Sequence, residues 1–114
     1  METIDRKISP AFKTIDTIDM IKASERQLNN AIPVYAINAG SLDLIKIEFL
    51  FSAGMFQQQC TLQAATVNTM LEEGTSKMNA DQIADAVDYY GAFLETSVSQ
   101  DHAALILYTL NKHL

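Results

Sequence analysis

Residues 60–74 read CTLQAATVNTMLEEG, from Cys60 to Gly74. Cys60, Ala64, Val67 and Leu71 fall at i, i+4, i+7 and i+11, one stripe on a 3.6-residue period. The stretch is therefore expected to be a single amphipathic helix with that stripe buried. Gly74 stands where a C′ glycine would end it. Glu72 and Glu73 occupy the last turn, where the helix dipole disfavours them, so this end reads as solvated or partner-facing.

Upstream of this helix lie two strand-like runs. Residues 33–39 (PVYAINA) alternate, and Gly40-Ser41 reads as a turn. Residues 42–53 (LDLIKIEFLFSA) alternate with Ile45, Ile47, Phe49 and Phe51 on one apolar face. The two runs are expected to pair as an antiparallel hairpin closed by Gly54. Residues 1–31 read as a polar N-terminal arm with room for one short strand. Pro10 excludes a helix around it, and Asn29-Asn30 marks a turn.

Downstream, Asn79 with Gln82 three positions on resembles a capping box, so a second helix is expected from there. Ile83, Ala86, Val87 and Tyr90 form its apolar stripe, and Gly91 ends it. Residues 92–99 and 102–109 are two more strand-like runs joined by Ser99-Gln100-Asp101. The order β-β-α-α-β-β describes an α+β fold, an antiparallel sheet of two hairpins packed on a helical pair. The assigned organisation is an arm at 1–31 and the first part of a larger domain at 32–114. Asn111 begins a turn that Leu114 does not finish, so the sequence reads as a fragment.

Composition narrows the function classes. The chain has 114 residues, is 48% hydrophobic and carries a formal net charge of −6. This is enough for one globular core, and the charge is unfavourable for nucleic-acid binding. Its two arginines and six lysines are scattered along the sequence. No run reaches the ~18 apolar residues of a membrane span. The N-terminus has no apolar segment of secretory type, which makes the cytoplasm the default compartment. The periplasm stays open if the sequence was cut from a longer one. A single cysteine, Cys60, excludes an internal disulfide framework.

The ordered set of short motifs resembles one family. Leu28 to Tyr35 is similar to an opening strand of the form L-x-N-G-x-x-V, with Ala31 in the glycine position. Ile47 to Gly54 resembles the strand and glycine that follow. Glu73-Gly74-Thr75 is similar to the Gly-Thr pair after the family's zinc helix. Ile83-Ala84-Asp85, Tyr90 to Leu94, and Ser99 to His102 resemble the next helix, strand start and turn. The resemblance, over residues 28–114, is to the insulinase, pitrilysin and mitochondrial-processing-peptidase group of zinc metallopeptidases, the inverzincins. It implies an α/β roll domain of which this chain is the N-terminal part.

In active members of that group, a His-x-x-Glu-His helix binds zinc through its two histidines and uses the glutamate as general base. Counting back from Gly74-Thr75, those positions fall on Ala65, Asn68 and Thr69. Ala65 has no donor atom, Asn68 has no useful basicity, and Thr69 is a poor zinc ligand. The resemblance therefore implies a non-catalytic homologue, with no catalytic residue, metal ligand or cofactor of its own. Zinc would belong to a homologous partner subunit or domain. The implied role is structural or peptide-binding, toward an unfolded peptide and a zinc-bearing half, with homo-oligomerisation as an alternative for a fragment. Two other readings stand beside it. One is a fragment of an active zinc peptidase whose catalytic residues lie elsewhere. The other is an unrelated α+β interaction module with a closed sheet.

Other clusters favour plain structural readings. His102 with Asp101 and Glu95 reads as polar surface around a turn rather than a metal site. Cys60 reads as a small buried hydrophobe rather than a nucleophile. Asp81, Asp85 and Asp88 read as a solvated helix face, and Met55, Met70 and Met78 as core filler.

Overall fold

The computed structural model of the chain describes Ser9 and residues 12–114. The expected effect of Pro10 lies outside the described residues. The chain divides into two compact units, residues 1–41 and 42–114.

In the first unit, β1 (Ser24–Gln27) and β2 (Pro33–Ala36) pair antiparallel, from Ser24 opposite Ala36 to Gln27 opposite Pro33. The Leu28 amide donates to the Ile32 carbonyl at 2.9 Å, and the Ala31 amide donates to the Leu28 carbonyl at 2.9 Å. Asn29, Asn30 and Ala31 thus form a three-residue loop. Its last residue, Ala31, is left-handed at φ 66°. This is the loop geometry that ends on a glycine in the αL region, and Ala31 holds the position that the family resemblance assigns to glycine. An L-residue there costs roughly 1–2 kcal/mol of backbone strain. Ala31→Gly is therefore expected to stabilise this hairpin by up to about 1 kcal/mol after the extra chain entropy of glycine is deducted. Slower exchange of the Leu28 amide hydrogen would register the gain.

In the second unit, β3 (Leu44–Phe51), β5 (Ala103–Leu110) and β4 (Phe93–Val98) form a three-stranded antiparallel sheet with β5 in the middle. Helix α1 (Gln63–Thr69) runs into a 3₁₀ turn at Met70–Glu72, and α2 (Ala80–Tyr89) follows. The fold is α+β, as the patterning predicts. The first hairpin, however, is β1 with β2, not residues 33–39 with 42–53. β3 instead pairs with β5 over eight residues, from Leu44 opposite Leu110 to Phe51 opposite Ala103. The reason is hydrophobic content. β5 is flanked on both edges and is buried or half-buried at every position but its last, which the apolar run AALILYTL allows, whereas β2 is exposed throughout.

The core is small. Ala64, Ala103, Ala104 and Ile106 are its buried apolar residues, with Asn68 and Thr109 buried among the polar ones. On β3, Ile45 and Ile47 are half-buried as expected, whereas Phe49 and Phe51 are exposed.

Helix α2 follows its sequence signals closely. Asn79 Oδ1 accepts from the Gln82 amide at 2.9 Å, and Gln82 Oε1 accepts from the Asn79 amide at 3.1 Å, a complete capping box. At the other end Gly91 is left-handed at φ 58°. The Gly91 amide donates to the Asp88 carbonyl and the Ala92 amide to the Val87 carbonyl, at 2.9 and 3.0 Å, closing a Schellman motif. Ile83, Ala86 and Val87 are half-buried. Tyr90 is exposed, because it is the capping residue at which the chain leaves the helix.

Helix α1 departs further from its pattern. It covers 63–69 rather than 60–74, entered through Leu62 in the left-handed region at φ 69°. Thr66, Val67 and Thr69 are poor helix formers, which shortens it. Its buried residues are Ala64 and Asn68, not the Cys60–Ala64–Val67–Leu71 stripe. Cys60 is exposed, as are Val67 and Leu71. Gly74 is not a helix cap. It is bridged to Asn79 beyond the 3₁₀ turn, and the Thr75 amide donates to the Met78 carbonyl at 2.7 Å.

Candidate functional site

The three positions singled out in the sequence lie on α1, and the structure separates them by face. Ala65 and Thr69 are exposed, whereas Asn68 is 4% exposed. The Thr69 hydroxyl donates to the Ala65 carbonyl one turn back, at 3.0 Å. Asn68 turns toward the sheet. Its Nδ2 donates to the Ser97 carbonyl at 2.8 Å and to the Ala104 carbonyl at 3.3 Å, one on β4 and one on β5. Ser97 and Ala104 are directly opposed across the ladder. Two carbonyl acceptors fix the orientation of the amide, with nitrogen toward the sheet and oxygen away from it.

That oxygen borders a cleft. The cleft measures about 360 Å³ and lies between α1, the end of β3 and the segment after it. Phe51, Gly54, Gln58, Ala64, Val67 and Asn68 are among the residues that line it. Asn68 Oδ1 and Gln58 Oε1 are both buried without a hydrogen-bond partner. Each is an acceptor whose lone pairs face no donor, an arrangement that costs free energy until a donor is supplied. No ionisable side chain lines the cleft. It can accept hydrogen bonds and take up apolar surface, but its own residues offer neither a general base nor a charged nucleophile.

The floor of the cleft is built by close packing. Gly54 is buried, and a Cβ at that position would collide with the backbone of Gln100, Asp101 and His102. Directly after it, the Met55 amide donates to the Ser99 carbonyl at 3.0 Å and the Phe56 amide to the Gln100 carbonyl at 2.9 Å. The β4–β5 turn is itself pinned by Ser99, whose amide and hydroxyl both donate to the His102 carbonyl, at 2.8 and 3.0 Å. β3 ends at Phe51, and Gly54 opens the 3₁₀ turn that follows rather than closing a hairpin of 33–39 with 42–53; its lack of a side chain is what lets the two turns touch.

The residues at 65, 68 and 69 do not fit a zinc ion. Ala65 offers no donor, the Thr69 hydroxyl is engaged with the helix backbone, and Asn68 presents N–H groups inward. His102, Asp101 and Glu95 do not assemble either: no group of three or more His, Cys, Asp or Glu side chains comes into metal-holding proximity among the described residues. No described helix is long and apolar enough to cross a membrane. Sequence reading missed Gln58, which sits in an unpatterned run of three glutamines and shows its role only through burial.

Comparison of the fold with solved structures returns a close geometric match. The crystal structure of a peptidase M16 inactive domain from Pseudomonas fluorescens superposes with a TM-score of 0.71 at 23% sequence identity. The chain shares the fold of part of that M16 domain. The match covers 80% of this chain and 22% of the solved one, so the M16-like part described here spans about a fifth of that protein's length. No protein-family model matches the sequence, and no curated protein does. At this level of identity the likeness is one of fold.

Proposed function

We propose that this M16-like chain is part of a non-catalytic homologue of the zinc metallopeptidases, in which α1 serves as scaffold. The observation that carries this reading is the placement of Asn68. At the position where the family resemblance puts the general base, the side chain is buried and both its N–H groups are engaged by Ser97 and Ala104. A group that holds the helix to the sheet cannot also activate water, and an amide has no proton affinity near neutral pH. The description of the solved neighbour as an inactive domain agrees with this reading. Zinc and base would then reside on a homologous half, with this chain contributing structure and contacts to an unfolded peptide. The cleft suits the second task. Its two unpartnered oxygens accept from backbone N–H groups, and its apolar lining takes up a side chain.

The test is zinc retention and peptide hydrolysis by the purified chain. After incubation with zinc and gel filtration, metal analysis is expected to find far less than one zinc per chain. Hydrolysis of an unfolded peptide is expected to stay at background with or without chelator. Stoichiometric zinc, with hydrolysis that a chelator abolishes, would overturn the proposal.

A further inference from the structure

Helix α1 begins on the wrong residue for its sequence. The Gln63 amide donates to the Cys60 carbonyl at 3.3 Å, closing a turn over Cys60, Thr61, Leu62 and Gln63. Leu62 stands third in that turn, at φ 69° and ψ 0°. A turn with positive φ at its third residue ordinarily has glycine or asparagine there. A bulky side chain in that region is held against backbone strain. Leu62 is also the N-cap of α1 and gives it no side-chain hydrogen bond. The residue before it, Thr61, is of a preferred capping type, but it stands one position too early to serve. Strained backbone and a misplaced cap thus coincide at one peptide unit. Such strain persists where the surroundings hold it, and two ties do so here. The Met55 and Phe56 amides fasten one end of the segment to the Ser99 and Gln100 carbonyls. At the other end the Gln59 amide donates to Gln63 Oε1 at 2.7 Å. Between the two ties lie Gln57 and Gln58, both on the wall of the cleft.

We propose that residues 57–62 are a strap with two backbone states set by Leu62. The structure shows the latched state, with Leu62 left-handed and Gln63 Oε1 holding the Gln59 amide. In the released state Leu62 takes right-handed helical angles and becomes the first residue of α1. Thr61 is then the N-cap, and its hydroxyl oxygen accepts from the Gln63 or Ala64 amide. The Ala65 amide gains the Thr61 carbonyl as its acceptor, as the helical repeat requires. Cys60 and Ala65 come to the two positions that pack as a hydrophobic staple. Release therefore relieves the strain at Leu62 and caps the helix, at the loss of the Gln59–Gln63 bond. Met55 and Phe56 stay fastened, so the swing is confined to the strap. It moves Gln57 and Gln58, and the wall of the cleft differs between the two states. Every group involved lies within the compact unit 42–114, and the switch does not depend on what occupies the cleft. A donor bound to Gln58 would favour the latched state; that consequence rests on the peptide-binding reading of the cleft, whereas the switch itself does not.

NMR relaxation dispersion of the backbone amides is expected to show microsecond-to-millisecond exchange confined to residues 57–65. Leu62→Gly removes the strain of the latched state. It is expected to abolish the exchange and keep the major amide shifts of the parent chain. Leu62→Pro does the opposite. Proline excludes positive φ, suits the first position of a helix, and pushes Thr61 into the extended region that an N-cap occupies. Its amide shifts at residues 58, 59 and 63–65 are expected to coincide with those of the parent's minor state. Gln63→Ala removes the latch and is expected to raise the minor population by about fivefold, the equilibrium weight of one net hydrogen bond. Dispersion profiles that are flat in both the parent and Gln63→Ala overturn the proposal. So does exchange that persists unchanged in Leu62→Gly. An unfolded Leu62→Pro overturns it as well, because the released state accommodates proline. None of these measurements involves zinc or a peptide, so their failure would leave the reading of α1 as scaffold standing.

Discussion

Replacing Gly54 with alanine is expected to destabilise the β3–β5–β4 unit by about 3 kcal/mol, at the upper end of ordinary overpacking. The backbone at Gly54 is extended, φ −75° and ψ −177°, a conformation open to any residue. The cost is therefore one of space, not of backbone preference. A Cβ there meets the backbone of Gln100, Asp101 and His102 rather than the yielding end of a side chain. To make room, the segment must move away from the β4–β5 turn, which breaks the bonds from Met55 to Ser99 and from Phe56 to Gln100. Gly91→Ala supplies the comparison. Gly91 is left-handed at φ 58°, yet a Cβ would find nothing within 4 Å. That substitution should cost about 1–2 kcal/mol of backbone strain alone. Urea unfolding followed by circular dichroism ranks the two, and a Gly54→Ala midpoint no lower than that of Gly91→Ala would refute the packing account.

Asn68→Glu is expected to cost about 3 kcal/mol or more at pH 7, the scale of an uncompensated buried charge. The amide at 68 donates to two carbonyls, and a carboxylate has nothing to donate. The penalty carries its own pH signature. Burial against two carbonyl oxygens raises the folded-state pKa of the introduced carboxyl above its unfolded value of about 4.3. A raised pKa means stability that is fully present below the unfolded value and is lost as pH rises through the folded one. Stability of Asn68→Glu relative to the parent chain should therefore recover toward pH 4 and fall toward neutrality. Asn68→Ala loses the same hydrogen bonds and leaves a cavity but introduces no titrating group, so its penalty should not vary with pH. Unfolding curves of the three proteins at pH 4 and pH 7 decide the matter. An Asn68→Glu penalty that is equal at both pH values would show that the side chain swings out to solvent.

The legible parts of this fold are the ones written in local chemistry. Asn79 and Gln82 announce a capping box, and Gly91 with Ala92 closes the same helix, because caps are contacts between residues a few positions apart. The alternation along β3 announces a strand. Nothing in that alternation names the partner, and the nearest run in sequence is the wrong one. β5 is chosen because its apolar run can be buried or half-buried at every position but its last. Helix α1 misleads for a related reason. A stripe of Cys60, Ala64, Val67 and Leu71 is buried only if there is a core to receive it. In this unit the sheet receives Ala64 and Asn68, and the remaining apolar residues border a cleft or solvent.

Residue order alone carries the α+β character, the start and stop of α2, and the lack of an imidazole or carboxylate at positions 65, 68 and 69. Those are matters of residue identity and short-range bonding. Folding in three dimensions is what made Asn68 a structural tie between α1 and two strands, and Gly54 a contact point between two turns. It also decided that β3 takes β5 as its neighbour. Each of these depends on backbone groups 29 or more residues away or on the neighbour a strand selects, and distance in space is the one quantity a local pattern does not carry.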